Sequence, residues 1–209
     1  MASPERGGPR LIVFSDTTRA EPALLLDRFT RLAERALPGS VLFVLRDYQL
    51  AARERFLLGQ RLAQRVALTG QRFGLGERAD LARALQCSAF HLPGSAFAAR
   101  DARLYLGPEV FLSRGTHDPT SAGESELDAL LLSPAFEARK GRLSLGLPAL
   151  AEAVRIRAPA WPSLFALGGV TAHNAAACLA AGMAGVAVIG AALEPDPAPL
   201  LAALGIARP

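Results

Sequence analysis

Two glycine-containing turns near the end of the chain have the composition of an anion-binding site. Gly168-Gly169 follows an apolar run and leads into a segment that opens a helix near His173, and Gly190-Ala191 follows the next apolar run. Glycine has no Cβ to block backbone N–H groups that turn inward, and a helix N-terminus adds unsatisfied donors and partial positive charge. The pattern favours a phosphate site formed by Gly168, Gly169, Ile189 and Gly190. The alternative is that these glycines only permit tight turns.

Histidine and an Arg–Asp pair supply further polar candidates. His91 ends an apolar run, where it either lines a pocket or serves as a hydrogen-bonded core histidine. Arg46 and Asp47 directly follow another apolar run, and they either form an ion pair at its end or orient a substrate carboxylate. Cys87 and Cys178 lie in apolar segments, far in sequence from other residues that could bind a metal. We therefore expect buried, reduced thiols.

The positive charge of the chain comes almost entirely from arginine. The net charge is +4, and Lys140 is the single lysine among 23 basic residues. Arginine binds phosphate through paired N–H donors, although a bias toward Arg codons would give the same composition without a function. No aromatic-plus-basic module indicates nucleic-acid binding, and no apolar run approaches the ~20 residues that span a bilayer. We therefore expect a cytoplasmic protein that binds neither nucleic acid nor membrane.

Eight apolar runs alternate with amphipathic stretches along the chain. Runs of four or five apolar residues indicate strands that are buried on both faces, as in a parallel sheet. The clear runs lie at residues 11–14, 41–45, 129–132, 164–167 and 186–189, and weaker ones lie at 73–75, 89–92 and 110–112. This alternation predicts one compact (β/α)8 TIM barrel over residues 10–209, preceded by a flexible tail at 1–9. A doubly wound sheet is less favoured, because the segment after the first run lacks the glycines of that fold.

Several motifs resemble the thiamine phosphate synthase/TenI family, and the resemblance runs over nearly the whole chain. Residues 164–171 and 180–188 resemble the closing segment of that family, and residues 44–47 resemble its Gln-Leu-Arg-Glu. Residues 76–82 are similar to its Asn-Asp-Arg-Val-Asp-Leu-Ala, and residues 133–136 with 145–147 to its Gly-Pro-Val-Phe and Leu-Gly-Leu. The resemblance implies an enzyme of thiamine biosynthesis with a thiazole phosphate as its ligand. It also implies that the substrate-binding residues are Arg46, Asp47, His91, Ser133, Lys140 and Gly146.

The chain departs from the synthases of this family where they bind Mg²⁺ and diphosphate. Tyr48 stands in place of their lysine, and Glu77 stands in place of one metal-binding aspartate. The second aspartate is absent from residues 91–96, and the Thr-rich, Lys-bearing loop after the sixth strand has become Glu137-Ala138-Arg139-Lys140. One carboxylate supplies few of the oxygen ligands that Mg²⁺ requires. Glu77 is thus a weak metal candidate, and we expect no cofactor unless the chain is a synthase.

Two other motifs are similar to the TenI branch, the thiazole tautomerases, which act on a thiazole phosphate carboxylate without metal. These motifs are residues 92–97 and Arg114-Gly115-Thr116-His117. The resemblance implies that His117 is the catalytic acid/base, a role that suits a group titrating near neutral pH; the alternative is a surface-loop histidine. We therefore expect a metal-independent tautomerase. The alternative functions are a thiamine phosphate synthase and a catalytically silent barrel that binds a phosphorylated ligand. Pairing into a homodimer is a further possibility.

Overall fold

Eight parallel strands form a closed barrel in the computed structural model, which describes residues 8–92, 94, 97–121, 124–139 and 141–209. Each strand pairs with the next one in sequence, and the last strand pairs with the first. The strands are β1 (Leu11–Phe14), β2 (Val41–Leu45), β3 (Arg72–Gly76), β4 (Ala89–Leu92), β5 (Phe111–Thr116), β6 (Ala129–Leu132), β7 (Ser163–Leu167) and β8 (Gly185–Val188). The predicted single-domain (β/α)8 barrel is confirmed.

Helices follow seven of the eight strands in the described part of the chain. They are α1 (Pro22–Arg35), α2 (Ala52–Ala67), α3 (Ala79–Ala84), α4 (Ala99–Leu106), α5 (Gly146–Arg155), α6 (Ala172–Ala180), a short 3-10 helix (Gly190–Leu193) and α7 (Ala198–Ala203). Between β5 and β6 the described residues form turns rather than a helix. No helix among the described residues has the length and hydropathy required to cross a bilayer.

The strands are apolar throughout because both of their faces are buried. Side chains alternate along each strand, so that Ile12 and Phe14 of β1 point into the barrel while Leu11 and Val13 face the helices. The interior is filled by Leu42, Val44, Ala89, Ala129, Leu131, Phe165 and Ala187 together with Ile12 and Phe14. Few aromatic residues are needed, since the helical layer packs mainly through leucine and alanine.

The two cysteines belong to the layer between the sheet and the helices. Both are buried free thiols. Burial raises the pKa of Cys87 to about 12 and that of Cys178 to about 11, because the thiolate would lose its hydration. The thiols are therefore protonated at neutral pH and act as small core residues.

Strand β8 enters the barrel through a site that has no room for a side chain. A Cβ on Gly185 would overlap the carbonyl oxygen of Arg10 and would lie 2.6 Å from the Phe165 ring. The backbone of Arg10 also accepts a hydrogen bond from the N–H of Val186. The junction of β8 with β1 and β7 therefore requires glycine at this position.

We expect Gly185→Ala to lower the free energy of unfolding by about 1–3 kcal/mol, because the backbone of Arg10 cannot move away without breaking strand pairing. Gly115→Ala in β5 is a matched control, since the atom nearest to its added Cβ, the Leu131 carbonyl oxygen, lies 4.0 Å away. Urea denaturation of both variants measures the difference. Equal stability of the two variants would contradict the close packing at Gly185.

Candidate active site

A pocket of about 350 Å³ opens at the carboxyl ends of β6, β7 and β8. Active sites of (β/α)8 barrels lie at this end of the strands. The pocket brings together seven of the residues singled out in the sequence, namely Arg46, His117, Ser133, Gly168, Gly169, Ile189 and Gly190. Residues from opposite sides of the barrel thus meet in one concave site.

The turn after β7 has a conformation that favours glycine at two successive positions. Gly168 and Gly169 have φ values of 97° and 69°, in the left-handed region that side chains rarely adopt. A Cβ on Gly169 would also lie 2.7 Å from the backbone nitrogen of Glu137. The turn leads into α6, where Thr171 is the N-cap and accepts a hydrogen bond from the N–H of His173. Gly169 and Thr171, the N-cap of α6, therefore line the same pocket.

The turn after β8 reaches the same level of the barrel. Leu167 of β7 pairs with Ala187 of β8, so that Gly169 and Ile189 each follow a paired residue by two positions. At Gly190 there is room for a larger side chain, since the atom closest to an added Cβ is Nη1 of Arg19 at 3.5 Å. Gly190 therefore leaves open space between the backbone and a guanidinium group.

Arg19 is a pocket residue that the sequence analysis missed. It lies in the loop after β1, and its Nε is 3.3 Å from Oδ2 of Asp16. Asp16 is itself fixed, because its other carboxylate oxygen accepts a hydrogen bond from the N–H of Thr18 at 3.1 Å. This pairing at Nε leaves the two terminal nitrogens of Arg19 for a ligand. The signal in the sequence was its position in a βα loop, where active groups of such barrels are found.

His117 is an exposed residue that lines the pocket beside Ser133. Its Nδ1 lies 2.7 Å from the backbone carbonyl oxygen of Ser133 and 3.3 Å from the Ser133 hydroxyl. Because a carbonyl oxygen only accepts, Nδ1 carries the hydrogen in this arrangement. The lone pair of the neutral ring is then on Nε2, where it can take up a proton.

Arg46 and Asp47 do not form the ion pair that was one of the two expectations for them. Asp47 is 3% exposed and accepts hydrogen bonds from the Ser15 hydroxyl and the backbone N–H of Thr17. It thereby joins the loops after β1 and β2 and does not line the pocket. Arg46 turns the other way, into the pocket, with its guanidinium carbon 5.6 Å from the centre of the Tyr48 ring.

His91 is partly buried in strand β4 and is not among the residues that line the pocket. Its Nδ1 lies 3.0 Å from the Ser113 hydroxyl, and its ring meets the edge of Phe14 at 4.9 Å between centroids. Burial, with smaller contributions from the charges of Arg46 and Arg114, lowers the pKa of His91 to about 3. His91 is therefore neutral at physiological pH, as a hydrogen-bonded core histidine is.

Three other predicted residues do not line the pocket or are not described. Gly146 begins α5, and its N–H donates to the Ala135 carbonyl, which fixes the end of the loop after β6. Lys140 lies outside the described residues. Glu77 is exposed at the end of β3, and the described residues contain no group of three His, Cys, Asp or Glu side chains that could hold a metal. These residues therefore do not fit a protein-built Mg²⁺ site.

A family model described as "Thiamine monophosphate synthase" matches residues 16–192. The chain belongs to this family. The thiamine-phosphate synthase of Moorella thermoacetica is 32% identical over 158 residues, which are 74% of this chain and 75% of that protein. The thiamine-phosphate synthase of Koribacter versatilis is 32% identical over 189 residues, which are 87% of each chain. Membership of the family connects the chain with thiamine biosynthesis.

The fold is also similar to that of a solved structure. Thiamine phosphate pyrophosphorylase from Pyrococcus furiosus superposes with a TM-score of 0.79 at 23% sequence identity. The superposition covers 96% of this chain and 97% of that one. At this sequence identity the similarity shows the fold alone and not the reaction.

His91 gives the stability of the barrel a defined dependence on pH. The unfolded histidine takes up a proton below its ordinary pKa of about 6.5, whereas folded His91 resists protonation down to about pH 3. Stability therefore falls as the pH drops below 6.5. Between pH 7 and pH 5 we expect the unfolding free energy to fall by about 1–2 kcal/mol more in the wild type than in His91→Asn. Urea denaturation at both pH values tests this, and identical losses would refute it.

Proposed function

We propose that the chain is an enzyme of the thiamine-phosphate synthase type. A thiazole phosphate would lie in the pocket, with its phosphate on the backbone N–H groups of the turns Gly168-Gly169 and Gly190-Ala191. The observation that carries the proposal is the convergence of these two turns and Arg19 on one pocket. Backbone donors at a helix N-terminus and a guanidinium are what a phosphate dianion requires. The names of the relatives support the type of reaction.

The reaction joins two phosphorylated substrates in one displacement. The ring nitrogen of the thiazole attacks the methylene carbon of a pyrimidine diphosphate, a C–N bond forms, and the C–O bond to the diphosphate breaks. The diphosphate leaves with the electron pair of that bond. The protein has to hold both rings in line and to stabilise the charge that develops on the leaving group. Arg46, Arg139 and Arg142 line the pocket and supply positive charge for the second task.

A second candidate, a thiazole tautomerase, is favoured by the arrangement of His117. Its Nδ1 is held by the Ser133 carbonyl, which leaves the lone pair on Nε2 of a residue that lines the pocket. A single residue that accepts and returns a proton is sufficient for a tautomerisation. This reaction requires no leaving-group stabilisation and no metal.

One assay separates the two reactions. The protein is incubated with hydroxymethylpyrimidine diphosphate and thiazole phosphate, or with the tautomer of the thiazole phosphate carboxylate alone, and the products are resolved by liquid chromatography. We expect thiamine phosphate and free diphosphate in the first reaction, and His117→Gln to retain this activity. Tautomer conversion without coupling, reduced about 10²-fold or more in His117→Gln, would instead establish the second candidate. Turnover of neither substrate would exclude both.

Gly190→Ala tests the phosphate position without disturbing the fold. The added methyl group fits, because its nearest neighbour is an arginine nitrogen at 3.5 Å, yet it occupies the space proposed for the phosphate. We expect thiazole phosphate to bind about tenfold more weakly or worse, as for a lost hydrogen bond to a charged group. Isothermal titration calorimetry measures this, with the unphosphorylated thiazole alcohol as the control ligand. An unchanged affinity for the phosphate would contradict the assignment.

A further inference from the structure

Three guanidinium groups at the pocket have no carboxylate partner in the part of the chain that the structure describes. They belong to Arg46, Arg139 and Arg142, and no described carboxylate oxygen lies within 4.0 Å of their nitrogens. Seven other arginines do form such ion pairs. One of them, Arg19, also lines the pocket, and the other six, which lie outside its lining, are Arg31, Arg35, Arg78, Arg103, Arg114 and Arg155. Uncompensated like charges around one concavity attract anions and repel cations.

A tight turn brings two of these groups to the same side. The backbone N–H of Arg139 donates to the carbonyl of Arg142, and the N–H of Arg142 donates to the carbonyl of Arg139, each at 3.0 Å. Residues paired across such an antiparallel bridge project their side chains to one face. The loop after β6 therefore presents Arg139 and Arg142 together at the rim of the pocket.

Arg46 approaches the pocket from the second strand. Its guanidinium stacks on the ring of Tyr48, and Arg55 lies on the same ring at 5.2 Å. Tyr48 is held over the end of β3, where a Cβ on Gly76 would lie 3.2 Å from its hydroxyl oxygen. The stacked ring limits the directions open to Arg46 and keeps its charge at the pocket.

The acidic side chains of the same region do not balance this charge. Glu137 is the one acidic residue in the described lining of the pocket, against four arginines. Glu77, the residue in the place of a metal ligand, is exposed and outside that lining. A divalent cation with a diphosphate would enter a site that is already positive and offers it a single carboxylate.

We propose that Arg46, Arg139 and Arg142 bind the diphosphate group of the substrate directly and that this binding needs no divalent cation. The inference rests on the proposed function for the identity of the ligand. Guanidinium groups supply charge and paired donors that match phosphate oxygens, so three of them neutralise a diphosphate where a metal ion would otherwise do so.

Calorimetric titration with inorganic diphosphate, in excess EDTA and again in excess MgCl₂, tests the proposal on the complete chain. We expect an affinity in EDTA that equals or exceeds the affinity in MgCl₂, because Mg²⁺ competes with the protein for the ligand. Binding that is lost in EDTA and restored by MgCl₂ would overturn the proposal.

Substitution of the arginines identifies the site. We expect R139Q, R142Q and R46Q each to weaken diphosphate binding in EDTA about tenfold or more, while the melting temperature stays unchanged for the two exposed rim residues. R155Q is the matched control, since Arg155 is exposed on α5 and pairs with Glu152. Unchanged binding in R139Q and R142Q would overturn the proposal even if binding in EDTA is observed.

The outcomes for the two proposals differ. Diphosphate binding in EDTA that depends on the arginines, without any formation of thiamine phosphate, would support the anion site and exclude the synthase. Formation of thiamine phosphate that requires MgCl₂, together with Mg²⁺-dependent diphosphate binding, would support the synthase and exclude a metal-free site.

Discussion

The position of β8 between β7 and β1 determines where the candidate active site forms. Val186 pairs with Leu11 on one side, and Ala187 pairs with Leu167 on the other. This register brings the turn after β8 level with the turn after β7 and next to the loop that carries Arg19. Gly185 permits the close approach on both sides. If β8 shifted by one residue, the side chains of the strand would exchange faces, and the turns would no longer meet.

The sequence predicted the barrel well because its strands are buried on both faces. All eight apolar runs are strands, and the glycine turns after β7 and β8 meet in the pocket as expected. The strand β5 extends to Thr116, beyond its apolar run. There Arg114 pairs with Glu124 and donates to the Phe97 carbonyl, so a polar side chain is partly buried by a loop where other strands have a helix. Such long-range pairs are not visible in a local pattern.

The site was predicted less completely, because the direction of a side chain depends on contacts across the fold. Asp47 follows a strand, as catalytic residues do, yet it turns to the loop after β1. His91 does not line the pocket, and burial keeps it neutral at physiological pH. Arg19 and Arg142 reach the pocket through an ion pair and a tight turn that no motif encodes. The sequence favoured a tautomerase, whereas the relatives and the positive pocket favour the synthase reaction.

The arginines of this protein fall into two groups that differ in their partners. Several arginines on the helices form ion pairs with nearby acids, for example Arg31 with Asp27 and Arg155 with Glu152. Exposed pairs of this kind contribute little to stability, so they do not by themselves indicate a function. Three of the four pocket arginines, Arg46, Arg139 and Arg142, lack such partners among the described residues, which is the arrangement that the proposed anion site uses.

A crystal structure of the protein with bound thiazole phosphate tests the central claim most directly. The phosphate oxygens should lie within hydrogen-bond distance of the backbone nitrogens of Gly169 and Gly190, with Arg19 beside them. A phosphate bound elsewhere, such as in the hollow lined by Arg114 and Glu124, would contradict the assignment of the site.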